Sequence, residues 1–214
     1  MGRLSLVIVC GLVASCDDPG KPLSGTRSEQ IAASTSATST ASVATEAHSS
    51  AMRAGALCDP PTEGRSLSKS AAAFVDATGG VSDRAMPTWD GKRGRWVSFF
   101  ASWCGPCKEE LPRIQRFAKK LEGDGVPVDV EYLSIDDDLR QLTAFLAAQP
   151  EGGMKSSYWL KDGPPRTAWL ASLKMKSDPP LPQHAIFDGK GKLRCFVSGA
   201  IEESDYPQLV SSLR

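Results

Sequence analysis

Two cysteines, Cys104 and Cys107, are separated by two residues and stand at the junction between a predicted strand and a predicted helix. The strand covers residues 96–100, which are rich in aromatic and β-branched side chains. Pro112 lies inside the helix and is expected to kink it. Apolar residues recur along this helix at the spacing of one face, with charged residues between them: Leu111, Ile114, Phe117, Ala118 and Leu121.

Strand and helix patterns continue to alternate towards the C-terminus. Residues 128–135 read as a buried strand that ends in an acidic turn, and residues 139–146 have the periodicity of a helix. The remaining predicted elements are a strand at 157–160, a helix at 166–173, a hairpin at 185–197 and a last helix at 205–213. This order predicts an α/β fold in which helices cover both faces of a mixed central sheet.

The N-terminal residues have a different composition. Residues 4–14 are apolar, which is long enough for the core of a signal peptide and too short to cross a bilayer. Residues 32–51 are almost entirely Ala, Ser and Thr and lack the side chains that form a core. We therefore predict a signal peptide at 1–15, a disordered tether at 16–57 and a folded domain at 58–214.

Residues 13–16, Val-Ala-Ser-Cys, resemble the lipobox of bacterial lipoproteins, in which the cysteine becomes the lipidated first residue of the mature chain. The resemblance implies that Cys16 is lipidated and that the protein lies on the extracytoplasmic side of a bacterial membrane, held by the lipid anchor only. An ordinary secretory signal, with Cys16 incidental, is the alternative. Cys10 lies within the signal and is expected to be removed with it.

The overall charge narrows the class of partner. The 25 basic and 25 acidic residues cancel, so the composition offers no electrostatic reason to expect nucleic acid as a ligand. The sequence contains no run of 18 apolar residues, so we predict no membrane-spanning helix in the mature chain. We expect a monomer whose partners are other proteins.

The Cys-x-x-Cys spacing occurs in structural zinc sites and in redox-active dithiols. A zinc site needs four ligands, and the two histidines, His48 and His184, have no partner at the usual spacing. At the start of a helix, unpaired backbone N–H groups and the helix dipole stabilise a thiolate. We therefore expect Cys104 to be the nucleophile and Cys107 to be the buried residue that resolves the mixed disulfide.

Residues 103–108, Trp-Cys-Gly-Pro-Cys-Lys, resemble the active site of the thioredoxin superfamily. The wider stretch 97–112 is most similar to extracytoplasmic thiol-disulfide oxidoreductases of the TlpA/ResA type. The resemblance covers roughly residues 71–214 and implies a thioredoxin-like fold with no required cofactor. We assign Trp103, Gly105 and Pro106 to the surface that contacts the client protein.

A second similarity to this family lies where Leu181-Pro182 precedes residues 185–189, at the spacing of the family's cis-proline strand and the following turn. It implies that the peptide bond before Pro182 is cis and that the backbone of Leu181 can pair with a client strand. The alternative is an ordinary trans proline in the Pro-rich run 179–182.

The proton acceptor for Cys107 is not assigned by the resemblance. Thioredoxins place an aspartate six residues before the nucleophile, and this chain has Ser98 there. Proton transfer then uses a water, Ser98 or a carboxylate, but Glu109 and Glu110 are expected to be solvated on a charged helix face. His184 could approach the sulfurs, although we expect it to pack away from the site.

The main hypothesis is a thiol-disulfide oxidoreductase that exchanges disulfides with extracytoplasmic client proteins. We expect it to reduce client disulfides, and oxidation of client thiols is the less favoured direction. The resemblance suggests that a membrane protein supplies the electrons. One alternative is a copper-handling metallochaperone that binds Cu(I) through Cys104 and Cys107, with His184 as a further ligand. Another is a client-holding scaffold with residual redox activity. The sequence leaves open whether Cys58 and Cys195 pair.

Overall fold

The computed structural model describes residues 56–59, 65–70 and 72–214. The predicted signal peptide, the predicted lipidation site Cys16 and almost all of the predicted tether lie outside the described residues. Among the helices that are described, none is both long and apolar enough to cross a membrane.

Seven strands and four α-helices form the described part of the chain. The strands are β1 (Ala72–Asp76), β2 (Val81–Arg84), β3 (Gly94–Phe100), β4 (Val128–Ser134), β5 (Ser156–Trp159), β6 (Gln183–Phe187) and β7 (Leu193–Ser198). The helices are α1 (Gly105–Gly123), α2 (Leu139–Ala148), α3 (Pro164–Ser172) and α4 (Tyr206–Leu213), and a 3-10 turn (Glu203–Asp205) precedes α4.

The strands form one mixed sheet in the order β2-β1-β5-β4-β3-β6-β7. β3 is central, parallel to β4 and antiparallel to β6, and β4 is parallel to β5. The hairpin partners β6 and β7 are antiparallel, as predicted. The fold is thioredoxin-like, and both the predicted fold class and the order of the elements from β3 onwards are confirmed.

β3 supplies the centre of the core because every one of its residues is buried. Alternate side chains point to opposite faces of the sheet, so Trp96 and Ser98 lie on one face and Val97 and Phe99 on the other. The run of aromatic and β-branched residues seen in the sequence is therefore typical of a strand that is covered on both faces. On one side, α1 and α4 meet where the ring centroids of Phe117 and Tyr206 are 4.9 Å apart.

Two strands at the edge of the sheet were not predicted. β1 pairs with both β2 and β5, and β2 forms the outer edge. All four residues of β2 are exposed, so its sequence lacks the apolar alternation that identifies a half-buried strand. The turn that joins it to β1 is held by Asp76, whose carboxylate accepts hydrogen bonds from the N–H groups of Thr78 and Gly80.

A disulfide between Cys58 and Cys195 answers the question that the sequence left open. It ties the segment 56–59 to β7. The segment is also held by two backbone N–H groups: that of Leu57 donates to Gln208 Oε1 at 2.7 Å, and that of Asp59 to the Phe196 carbonyl at 2.7 Å. Leu57 itself is buried in the core, so the folded part begins at least as early as this segment.

Candidate active site

The two cysteines lie at the carboxyl end of β3, where the chain enters α1. Cys104 is the N-cap of α1, with extended backbone angles, and its Sγ accepts a hydrogen bond from the Cys107 N–H at 3.2 Å. The two residues form a disulfide, and their Cα atoms are 5.3 Å apart. Cys104 is 5% exposed and Cys107 is fully buried. The site therefore holds a Cys-x-x-Cys pair in its oxidised form, with the more exposed cysteine as the N-cap of the helix.

A buried aspartate holds the loop that leads into this pair. Asp136 is fully buried and follows β4. Its carboxylate accepts hydrogen bonds from the Ser102 N–H at 3.0 Å, the Ser102 hydroxyl at 2.6 Å and the Ser134 hydroxyl at 2.6 Å. The carboxyl ends of the parallel strands β3 and β4 are thus joined directly before Trp103. The sequence presents Asp136 only as part of an acidic turn, and this role was missed.

The Leu181–Pro182 peptide bond is cis. Pro182 is buried and directly precedes β6, whose Gln183 is opposite Phe99 in the antiparallel pairing with β3. Because β3 also ends in the loop to Cys104, the proline and the dithiol lie at the same end of the central strand pair. The Pro182 carbonyl accepts a hydrogen bond from the Gly199 N–H at 2.9 Å, which ties it to the residue after β7.

The residues around the cysteines form an exposed surface. Trp103 is 62% exposed, and it is one of two large hydrophobic residues with high exposure in the part of the chain that the structure describes. Gly105 and Pro106 are exposed, and Leu181 is partly exposed. An apolar side chain of this size that is left in water next to a redox pair is a candidate contact for another protein.

Glu110 is buried, so the prediction that it is solvated is wrong. It lies one helical turn after Cys107, and its side chain is only 1% exposed. Its Oε2 accepts a hydrogen bond from the Ile201 N–H at 2.9 Å, whereas no described residue pairs with Oε1. The spacing could have shown this, because Glu110 is three residues after Cys107 and four before Ile114. Glu109, in contrast, is exposed.

His184 packs in the core, as expected, but it faces Glu110. Its Nδ1 accepts a hydrogen bond from the Trp96 indole N–H at 3.2 Å, so in the neutral ring the proton is on Nε2. Nε2 lies 3.3 Å from Glu110 Oε2, a close contact whose angles do not meet those of a hydrogen bond. His184 therefore lies against the buried carboxylate one turn beyond Cys107.

Two more buried hydroxyl groups lie on the same face of the sheet. Ser98 is directly opposite His184 on β6 and Tyr132 on β4, and neither the Ser98 hydroxyl nor the Tyr132 hydroxyl has a partner among the described residues. Burial, and to a lesser extent the charge of Glu110, raise the pKa of Tyr132. Buried unpaired polar atoms are rare in proteins, so this cluster beside α1 stands out as a polar region within the core.

The described residues contain no group of three or more His, Cys, Asp or Glu side chains that could hold a metal ion. In particular, Cys104, Cys107 and His184 do not form such a group. The two cysteines therefore have no third His, Cys, Asp or Glu ligand among the described residues with which to hold a copper ion.

Comparison with known proteins agrees with the geometry of the site. Residues 90–145, which contain both cysteines, match the family model described as Thioredoxin. Over 67 residues the chain is 33% identical to Thioredoxin-1 of Schizosaccharomyces pombe, covering 31% of this chain and 57% of that protein. It is also 33% identical to a thioredoxin of Borreliella burgdorferi, covering 24% of this chain and 39% of that protein. The chain thus spans about two fifths to three fifths of these relatives.

Solved structures with a similar arrangement include StoA from Bacillus subtilis, at 17% identity and a TM-score of 0.46, covering 68% of this chain and 98% of that one. A thioredoxin family thiol:disulfide interchange protein from Chlorobium tepidum has 17% identity and a TM-score of 0.48, covering 70% and 97%. Within the thioredoxin-like fold described above, residues 90–145 carry a thioredoxin-type sequence that contains the Cys104–Cys107 pair.

Proposed function

We propose that this protein is a thiol-disulfide oxidoreductase that reduces disulfides of extracytoplasmic client proteins through Cys104 and Cys107. The observation that carries the proposal is the position of the dithiol: Cys104 caps α1 and accepts the Cys107 N–H, while Cys107 is fully buried behind it. The first turn of a helix favours negative charge, so this position supports a thiolate at Cys104.

The first step is attack on the client. In the reduced protein, the Cys104 thiolate attacks one sulfur of a client disulfide. A mixed disulfide forms between Cys104 and the client, the client's own S–S bond breaks, and the other client sulfur leaves as a thiolate. Only Cys104 takes part in this step, because Cys107 has no exposed surface.

The second step releases the client. Cys107 loses its proton and attacks Cys104 Sγ, which closes the Cys104–Cys107 disulfide and frees the second client thiolate. We propose that Glu110 accepts the proton of Cys107, since Glu110 is one helical turn from Cys107 and its Oε1 is buried and has no partner among the described residues. His184 and the Ile201 N–H contact the other oxygen, Oε2, and so leave Oε1 available.

The client docks on the exposed surface beside the cysteines. Trp103 offers apolar contact area, and Gly105 and Pro106 present a short, open stretch of chain. Leu181, next to the cis proline, offers backbone groups with which an extended client segment can pair. The exchange needs no cofactor, since both electrons come from the two thiols.

The remaining assignments rest on the N-terminal sequence and on the resemblance to TlpA/ResA-type proteins. We propose a monomer that is lipidated at Cys16 and faces the extracytoplasmic side of a bacterial membrane. To act repeatedly as a reductant, it must regain two electrons and two protons per cycle, for which we propose a dithiol of a membrane protein.

Reduction of insulin by dithiothreitol, followed by the precipitation of the freed B chain, tests the proposal. We expect the wild-type protein to accelerate the reaction and both Cys104→Ser and Cys107→Ser to abolish the acceleration. A parallel titration of the reduced protein with Cu(I) tests the copper-handling alternative. Tight Cu(I) binding without acceleration of insulin reduction would contradict the proposed function.

A further inference from the structure

A second site is suggested by a cavity far from the dithiol. The cavity has a volume of about 550 Å³ and lies between the segment 67–70, the segment 83–89, which is the end of β2 and the loop after it, and Arg95. Arg95 is near the amino end of β3, whereas Cys104 follows its carboxyl end, so about 16 Å of strand separates the two. The volume is within the range of small-molecule sites.

The inner wall of the cavity carries a buried cation. Arg95 is 4% exposed, and its guanidinium lies 4.3 Å from the centre of the Trp89 ring. Nη2 donates to the Pro87 carbonyl at 2.7 Å, which holds the loop after β2 against the sheet. Nε and Nη1 have no acceptor among the described residues. One edge of the guanidinium thus has a structural role, while two nitrogens remain unpaired in a buried position.

No carboxylate among the described residues neutralises this charge by direct contact. The hydrogen bonds that Arg95 makes to described residues go to main-chain carbonyls. Asp129, opposite Arg95 in the sheet, is engaged with the Arg93 side chain at 2.7 Å. Glu131 feels the charge of Arg95, but burial is the larger effect and raises the pKa of Glu131. An unpaired buried cation is costly, and an anion would offset that cost.

The rest of the lining fits an anion with an apolar body. Lys69 and Arg84 add two exposed positive charges, and Asp83 supplies the one carboxylate among the described lining residues. Leu67, Met86 and Trp89 supply apolar contact surface. We propose that this cavity binds a small organic anion, in which a carboxylate or phosphate group pairs with Arg95 and a flat apolar body lies against Trp89 and Met86.

Binding should change the NMR signals of Arg95 and of Trp89, whose ring lies against the Arg95 guanidinium. Arg95 Nε and Nη1 are buried, so an anion in the cavity is first attracted by the charge of the guanidinium. To form hydrogen bonds with these nitrogens, the anion must displace the side chains of Arg95 and Trp89. The Arg95 Nε–H and Trp89 indole N–H signals in a ¹H–¹⁵N NMR spectrum of the full chain report this shift. Arg95→Gln and Trp89→Phe assign the two signals.

The experiment titrates the protein with benzoate, phenyl phosphate and the neutral analogue benzyl alcohol. We expect both anions to shift the two signals saturably and benzyl alcohol to leave them in place. The tighter of the two anions identifies the preferred group. Since a hydrogen bond to a charged group is at stake, Arg95→Gln should weaken the binding of the better anion about tenfold or more. Arg140→Gln, which removes an exposed arginine paired with Asp138, is the matched control and should bind as the wild type does.

Three results would overturn the proposal. These are equal binding of benzyl alcohol and benzoate, no saturable shift with either anion up to about 10 mM, and unchanged binding by a folded Arg95→Gln. If Arg95→Gln fails to fold, the double variant Lys69→Gln/Arg84→Gln decides, because both side chains are exposed. That variant should weaken the binding of both anions, and unchanged binding by the folded double variant would then overturn the proposal. The oxidoreductase activity is a separate property, since Cys104→Ser should bind benzoate normally.

Discussion

At the scale of single residues, a substitution at Glu110 distinguishes a proton acceptor for Cys107 from a carboxylate with only a structural role. If its free oxygen takes the proton of Cys107, Glu110→Gln slows the resolving step and leaves the first attack by Cys104 unchanged. We expect the mixed disulfide with a fluorescent disulfide peptide to persist up to about 100-fold longer at neutral pH. Rapid acid quenching followed by mass spectrometry measures its lifetime.

Glu109→Gln is the matched control, because Glu109 is the exposed neighbour on the same helix. It should resolve the mixed disulfide at the wild-type rate. Repeating the measurement at increasing pH separates a lost proton acceptor from a folding defect. Hydroxide should take the proton of Cys107 and so restore the resolving rate of Glu110→Gln towards the wild-type value. A variant that is folded and resolves at the wild-type rate at every pH would remove Glu110 from the mechanism.

The raised pKa of Glu131 predicts how the free energy of unfolding changes with pH. Its pKa is raised in the folded protein, chiefly by burial, so the folded state holds this proton at a pH where the unfolded chain has lost it. Stability therefore falls as the pH rises from the unfolded pKa, ordinarily about 4.3, through the raised folded value, and the cost is complete above that value. Glu131→Gln should raise the free energy of unfolding at pH 7 and have little effect near pH 3. Urea denaturation at both pH values measures it, and a loss of stability at pH 7 would contradict the account.

The roles of Cys104 and Cys107 were assigned from sequence because the spacing and the strand-to-helix junction are local patterns. Asp136 and His184 could not be assigned in this way. Asp136 bonds to Ser102 only because β3 and β4 are parallel neighbours, and His184 reaches Glu110 only through the pairing of β6 with β3. Contacts between residues that are distant in sequence depend on the sheet register, which one sequence does not supply.

At the scale of elements, the Cys58–Cys195 disulfide joins the segment 56–59 to β7 across 137 residues of chain. Closing a loop of this length restricts the unfolded chain, so Cys58→Ser/Cys195→Ala should lower the free energy of unfolding by about 2–5 kcal/mol. Guanidinium denaturation of both proteins under non-reducing conditions measures the difference. Insulin reduction should be unchanged at a temperature at which the variant is folded. Equal stability of the two proteins would show that the bridge contributes nothing.

The elements themselves were predicted unevenly. β3, β4, the hairpin of β6 and β7, and helices α1 and α2 were expected near their observed bounds, because buried runs and amphipathic helices leave clear periodic patterns. β1 and β2 left none: β2 is fully exposed at the edge of the sheet. Edge strands are identified by their neighbours, which the structure supplies and the sequence pattern does not.

At the scale of the whole molecule, the N-terminal residues are predicted to determine location and not chemistry. A chain that begins at Ala56 keeps Leu57, the disulfide at Cys58 and all seven strands. We expect it to reduce a small-molecule disulfide at the wild-type rate and to move from the membrane fraction to the soluble fraction of cells. A folded but inactive truncated protein would mean that the removed residues contribute to the site.

Trapping of the mixed disulfide shows which cysteine attacks the client and which one resolves the intermediate. The reduced Cys107→Ser and Cys104→Ser proteins are each incubated with a disulfide-containing peptide, and the adducts are digested and identified by mass spectrometry. We expect a stable mixed disulfide at Cys104 in Cys107→Ser and almost none in Cys104→Ser, because Cys107 is fully buried. A stable adduct at Cys107 in Cys104→Ser, or no adduct in either variant, would contradict this expectation.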